Sequence, residues 1–388
     1  MGAMSARLAS SKRLIVKIGS ALLVEQESGT IRRAWLEALA DDIADLIKRG
    51  TQIAIVTSGA IAVGRTHLGL AAGPLRLEEK QAAAATGQSR LTHAYEEALA
   101  RHAITVAQIL LTLEDTEERR RHLNARATID TLMGLRAVPV INENDTVATN
   151  EIRFGDNDRL AARVAQMISA DTLVLLSDID GLYTTDPRRD PDARHLPLVN
   201  EITPEILAMA GEAPPGYSSG GMVTKLEAAR IALAAGCRMA IANGRAPHAL
   251  AALDGGARAT WFMPSAEPRT ARKRWIAGAL KPVGTLTVDR GAMAALASGK
   301  SLLPAGVTDI AGAFERGDAV LVRGPDQQLL GRGLIAYGAE DARRIAGHKS
   351  GDIERLLGYR GRVEMIHRDD LVIEGLSAEL DLLGEGER

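Results

Sequence analysis

Cysteine is nearly absent: Cys237 is the only one in 388 residues. An internal disulfide is therefore excluded, and a reducing cytoplasm is the expected setting. Cys237 opens the apolar run Cys237-Arg238-Met239-Ala240-Ile241-Ala242, so it reads as a buried strand residue rather than a nucleophile. Long apolar runs are also missing. None approaches the ~20 residues that span a bilayer, so no membrane partner is expected. Met1 to Lys12 has no apolar signal core and reads as a short disordered lead. Net charge is only -2, which excludes a global field drawing the chain to nucleic acid or anionic lipid. No repeat of solenoid period, no Gly-x-x-x-x-Gly-Lys-Ser/Thr loop, no dinucleotide fingerprint and no Gly-x-Ser-x-Gly elbow occurs. The eight histidines are scattered, and none has zinc-ligand spacing with the cysteine.

What remains is an ordinary globular balance, 46% hydrophobic and 25% charged, in a chain long enough for two domains. Residues 14–18, 52–57, 104–111, 137–141, 172–177 and 238–242 are apolar at successive positions, as strands covered on both faces are. Helical spacing lies between them: Leu36, Leu39, Ile43, Leu46 and Ile47 before Gly50, then residues 78–100 and 157–168. The alternation predicts a three-layer αβα sandwich around a mainly parallel sheet over residues 12–264. Residues 265–281, with Pro264, Pro268 and the basic run Arg272-Lys273-Arg274, read as a linker. Residues 282–377 read as a small β-rich domain with strands at 284–289, 319–323, 331–337, 362–367 and 371–374.

Chemistry-bearing residues gather where strands are expected to end. Lys17 interrupts the run Leu14-Ile15-Val16-Lys17-Ile18-Gly19-Ser20, a costly place unless its ammonium meets an anion or snorkels to water. Thr57-Ser58-Gly59-Ala60 is either an anion site at a helix N-terminus or a tight turn that needs small residues. Asn142-Glu143-Asn144-Asp145 brings amides and acids into one loop, a set able to grip an amino acid or simply to form a solvated turn. In Phe154-Gly155-Asp156-Asn157-Asp158, one polar residue suffices as a helix cap, and Asp158 in the first turn can reach a lysine. Ser177-Asp178 ends another strand, where Asp178 can hold ribose or a magnesium shell. Ser219-Gly220-Gly221-Met222-Val223-Thr224-Lys225 opens a helix with bare N–H groups and a cation.

Taken in order, these segments resemble the amino acid kinase family, and within it its glutamate-phosphorylating members. The C-terminal part, with Ile345-Ala346-Gly347-His348 and His367-Arg368-Asp369-Asp370, is similar to the PUA domain that many of them carry. The resemblance covers nearly the whole chain. It implies ATP-dependent phosphorylation of the L-glutamate γ-carboxylate to L-glutamyl 5-phosphate, the first step of proline biosynthesis, with proline as feedback inhibitor. Carried over by position, Lys17, Asp158 and Lys225 are catalytic. Ser58, Asn142, Asp145 and Asn157 bind glutamate. Lys17, Ser177, Asp178, Ser219, Gly220, Gly221, Met222, Val223, Thr224 and Lys225 bind ATP. The family usually has Gly-Thr-Gly-Gly-Met where Ser218-Ser219-Gly220-Gly221-Met222 stands here, so a hydroxyl is kept. Mg²⁺ is expected to be held mainly by ATP and water, with no metal ligand from the protein. The resemblance also implies a homo-oligomer, dimer or tetramer, and channelling of product to glutamate-5-phosphate reductase. The same fold serves other acceptors, such as aspartate, N-acetylglutamate or UMP; the loop at Asn142–Asp145 and the PUA-like part favour glutamate. PUA domains elsewhere bind RNA, but acids and bases roughly balance over 282–377, so RNA binding is not expected.

Overall fold

The computed structural model describes residues 8–373, apart from residues 26, 72, 148–156, 212–220, 269, 272, 274, 275 and 277–280. The chain divides into two compact units, Met1–Pro268 and Arg269–Arg388.

The first unit is built on strands β1 (Arg13–Ile18), β2 (Gln52–Thr57), β3 (Val106–Leu111), β4 (Val138–Glu143) and β5 (Thr172–Ser177). After them come a short ribbon of β6 (Leu182–Tyr183) and β7 (His195–Leu196), then β8 (Leu198–Val199), β9 (Arg238–Asn243) and β10 (Ala259–Phe262). Eight of these strands form one sheet in the order β3-β4-β2-β1-β5-β9-β10-β8. The six from β3 to β9 run parallel, and β10 with β8 runs the other way.

The helices are α1 (Ser20–Leu23), α2 (Arg33–Lys48), α3 (Ala60–His67), α4 (Leu77–Ala100), α5 (Leu113–Glu117), α6 (Arg119–Gly134), α7 (Asn157–Met167), α8 (Pro204–Ala208), α9 (Met222–Ala234) and α10 (Ala249–Asp254). Strand side chains alternate between two cores, as the pleat requires. Leu14, Val16 and Ile18 of β1 pack with Leu36 and Ile43 of α2 and Leu91 of α4. Ile15 faces the other way, into a core with Leu160 of α7, Leu226 of α9 and Met133 of α6. The sandwich of helix, sheet and helix is therefore the expected one. β3 departs from the pattern of full burial because it lies at the sheet edge, with a neighbour on one side only.

The second unit has a five-stranded sheet in the order β12-β11-β13-β14-β15, from β11 (Gly284–Val288), β12 (Val307–Gly312), β13 (Ala319–Arg323), β14 (Leu329–Leu334) and β15 (Leu371–Ile373). Two sequence expectations are corrected here. The strand expected at 331–337 lies at Leu329–Leu334, where it pairs with β13 and β15. Residues 362–367 form no strand, only an isolated bridge between Leu302 and Ile366. The backbone there is satisfied piecemeal: Ala336 donates to the Met365 carbonyl, Met365 donates to the Leu302 carbonyl, and the Tyr337 hydroxyl donates to the Arg362 carbonyl. The edge strand Val307–Gly312 is absent from the sequence expectations: it buries only Val307 and Ile310, so it carries no two-residue alternation to read.

Candidate active site

Alternation along β1 decides where Lys17 goes. It shares a face with Ile15, so its side chain lies on the side of the sheet covered by α7 and α9. Asp158 stands in the first turn of α7 and Lys225 in the first turn of α9. The three meet: Lys17 Nζ lies 2.6 Å from Asp158 Oδ1, and Lys225 Nζ lies 2.9 Å from Asp158 Oδ2. Asp158 is 0% exposed, Lys17 6% and Lys225 8%. Burial by itself pushes the Asp158 pKa up. The two ammonium charges and the hydrogen bonds they donate outweigh it and hold the carboxyl at about 2. Thr224 Oγ1 donates to the Gly221 carbonyl (2.8 Å) and lies 3.4 Å from Asp158 Oδ2.

The cluster opens into a cleft of about 930 Å³ at the carboxyl ends of β1, β2, β4 and β5. Strand order reverses between β1 and β5, and ligands of open α/β sheets settle outside such a reversal. Gly19, Ser20, Gly59, Ala60 and Asn157 line the cleft at the starts of α1, α3 and α7, so several sets of helix N–H groups border it together with the two ammoniums. Gly59 holds φ at +106°, a left-handed turn that a side chain would strain, and a Cβ there would also meet Val24 Cγ2 at 2.9 Å. The cleft favours a polyanion at the lysines.

Amides gather in the same cleft. Asn157 Nδ2 donates to Asn142 Oδ1 (2.8 Å), to Ser58 Oγ (2.8 Å) and to the Thr57 carbonyl. Glu143 and Asp145 border this part of the cleft and also a second cavity of about 550 Å³ between α4 and the ends of β3 and β4. Ser177 and Asp178 line the cleft from β5, and Asp178 Oδ2 is approached by Arg188 (3.2 Å) and Arg245 (3.6 Å). Among the described residues, no group of three or more His, Cys, Asp or Glu is arranged to hold a metal ion. No described helix is long and apolar enough to cross a membrane.

Of the residues singled out in the sequence, Lys17, Ser58, Asn142, Asp145, Asn157, Ser177, Asp178 and Lys225 all line this one cleft, with Asp158 beneath it. Gly221, Met222, Val223 and Thr224 form the start of α9. Ser219, Gly220 and Asp156 lie outside the described residues. Sequence reading missed Gln88 of α4, whose Oε1 accepts from Asn142 Nδ2 at 2.7 Å. It also missed Tyr95, whose hydroxyl lies 2.9 Å from Thr57 Oγ1. Both sit in an Ala-rich helix where nothing distinguishes them from helix-forming or core residues.

The family profile described as amino acid kinase family matches residues 12–243, more than half of the chain. The chain belongs to the amino acid kinase family. The matched segment contains the whole lysine–aspartate–lysine cluster and every cleft residue named above. A PUA domain profile matches residues 284–357, which hold four of the five strands of the second sheet. Amino acid kinases among the curated relatives include the glutamate 5-kinase of Paramagnetospirillum magneticum, 67% identical over 368 residues, covering 95% of this chain and 99% of the relative. The glutamate 5-kinase of Rhodospirillum rubrum is 63% identical over 374 residues, covering 96% and 100%. That of Bradyrhizobium sp. is 61% identical over 369 residues, covering 95% and 98%.

Proposed function

We propose that this amino acid kinase is a glutamate 5-kinase: it transfers the γ-phosphoryl of ATP to the side-chain carboxylate of L-glutamate, giving L-glutamyl 5-phosphate and ADP, the first step of proline biosynthesis. The observation that carries the transfer chemistry is the pair of ammoniums held by one buried carboxylate, at 2.6 and 2.9 Å. The near full-length similarity to glutamate 5-kinases supports the choice of acceptor.

The attacking γ-carboxylate is already ionised at neutral pH, so no general base is needed. The obstacle is repulsion between two anions, and the remedy is fixed positive charge around the moving phosphoryl group. Lys17 and Lys225 supply it, and Asp158 fixes both ammoniums before substrate arrives, so little reorganisation is left for the reaction itself. Ser58, Asn142, Asp145 and Asn157 bind glutamate: the Ser58 hydroxyl donates to the α-carboxylate, and Asp145 with the carboxamide oxygen of Asn157, which Asn142 orients, takes the α-ammonium. Ser177, Asp178 and the segment from Ser219 to Lys225 bind ATP. Mg²⁺ bound to ATP would supply charge neutralisation on the phosphates, held mainly by nucleotide oxygens and water. Proline shares the α-carboxylate and α-amine of glutamate, so as an inhibitor it competes in the same pocket. An acyl phosphate is labile to water, which favours passing the product directly to a reductase in the same compartment, the cytoplasm; in this reading the kinase is also a homo-oligomer. In this reading the kinase domain spans 12–264 and the PUA domain 282–377.

The test is purified protein with Mg-ATP and a panel of glutamate, aspartate, N-acetylglutamate and UMP, with acyl phosphate trapped by hydroxylamine and ADP release followed in parallel. Glutamate is expected to give the highest kcat/KM. Equal or better turnover of another acceptor overturns the assignment.

A further inference from the structure

Asn142 is 3% exposed and Gln88 6%, so the direction in which each carboxamide points is set by its partners. Those partners form a chain with one polarity. Thr92 Oγ1 donates to the Gln88 carbonyl one turn back in α4 (3.0 Å), which leaves its lone pairs to accept from Gln88 Nε2 (3.3 Å). Gln88 therefore turns Oε1 toward the sheet, where it accepts from Asn142 Nδ2 (2.7 Å). Asn142 must then present Oδ1 to the cleft, where it accepts from the Glu143 N–H (2.9 Å) and from Asn157 Nδ2 (2.8 Å). Asn157 spends Nδ2 on protein acceptors, and its Oδ1 is the atom this chain does not use. The strand pleat makes the connection possible. Asn142 shares the face of Val138 and Val140, the side that α4 covers.

We infer that Gln88, set by Thr92, is a positioning residue for the amino acid acceptor: it fixes which end of the Asn142 and Asn157 carboxamides meets the substrate. The inference rests on the glutamate kinase reading, in which Asn142 and Asn157 contact glutamate. Gln88 and Thr92 line the neighbouring second cavity rather than the cleft itself, and Gln88 reaches the cleft through its hydrogen bond with Asn142. A wrongly turned amide would offer a donor where the site needs an acceptor, and a buried donor left without its acceptor is costly.

The experiment compares Gln88→Met, Thr92→Val and Thr92→Ser with the parent protein, measuring KM for glutamate, KM for ATP, kcat and Tm. Gln88→Met is expected to raise the glutamate KM about tenfold or more while the ATP KM and kcat stay within about twofold. Thr92→Val moves the glutamate KM the same way by less, and Thr92→Ser, which keeps the hydroxyl, restores the parent value. An unchanged glutamate KM in Gln88→Met overturns the inference, as does a rise in both KM values together with a fall in Tm, the mark of a merely structural role. A parent protein that turns over another acceptor but not glutamate defeats the glutamate reading itself, and the inference with it.

Discussion

A fully buried carboxylate ordinarily takes up a proton, because a low-dielectric interior disfavours charge. Asp158 goes the other way because two ammoniums sit on its two oxygens. Its pKa is lower in the folded chain than in the unfolded one. Its contribution to stability is thus fully present above the usual carboxylate pKa near 3.8 and is lost as pH falls toward about 2. Asp158→Asn removes the carboxylate that pairs with two buried ammoniums and should cost about 3–5 kcal/mol. The gap in stability between the parent and Asp158→Asn, from denaturant midpoints across pH, is expected to be level above pH ~4 and to narrow below it. A gap that widens on acidification would contradict the pairing. For catalysis, Lys225→Ala should lower kcat by about 10²–10³-fold with a much smaller change in glutamate KM, because its charge matters most as the phosphoryl group moves. Steady-state kinetics decide this, and an unchanged kcat removes Lys225 from the reaction. At this scale the sequence was readable wherever a polar residue broke an apolar strand or began a helix, as Lys17 and Asp158 do. It was silent on Gln88, since only the fold brings that residue to Asn142 across 54 positions.

The elements beside the cleft's amides are α3 and α4, and they cross almost backbone to backbone. A Cβ built on Gly87 would lie 1.8 Å from the Ala60 carbonyl oxygen, and one on Gly64 would lie 1.8 Å from that of Ala83. The obstacle in each case is main chain, which cannot swing aside as a side-chain tip does. Gly87→Ala therefore has to push the helices apart, at about 1–3 kcal/mol or more. Ala60 directly follows Gly59 in the cleft wall and Gln88 directly follows Gly87, so the same displacement should weaken glutamate binding. Thermal unfolding and glutamate KM are the measurements; a protein with the parent Tm would show that the crossing is looser than described. This contact is hidden in the sequence, where Gly87 falls inside the helical stretch 78–100 with nothing to mark it. The strands were more legible. β2 and β5 begin and end where their apolar runs do, because neighbours cover both faces. β4 runs on past Ile141 to Glu143 because its pairing with β3 continues to Leu111. Hydrophobicity alone cannot announce that extension, since the added residues are polar.

Across the whole chain, the two units build their cores from separate stretches of sequence. The second unit closes its own around Leu286, Val288, Val320, Val322, Ile345 and Ile366. The first unit supplies every residue of the lysine–aspartate–lysine cluster, both sheet faces that orient it and the whole amide chain from Thr92 to Asn157. A unit with its own core and a complete set of site residues is expected to fold and act alone. A chain ended after Pro268 should therefore be soluble and should keep kcat and the glutamate KM within a few fold of the full-length protein. Circular dichroism with steady-state kinetics on the truncated chain is the check. Loss of kcat in a truncated chain that remains folded would mean that the PUA unit contributes to the reaction centre. A chain that fails to fold would mean that the first core depends on residues beyond 268. Retention of kcat with a changed response to proline would instead place the second unit in regulation, since the two buried ammoniums, their counter-ion and the amide chain all lie upstream of Pro268.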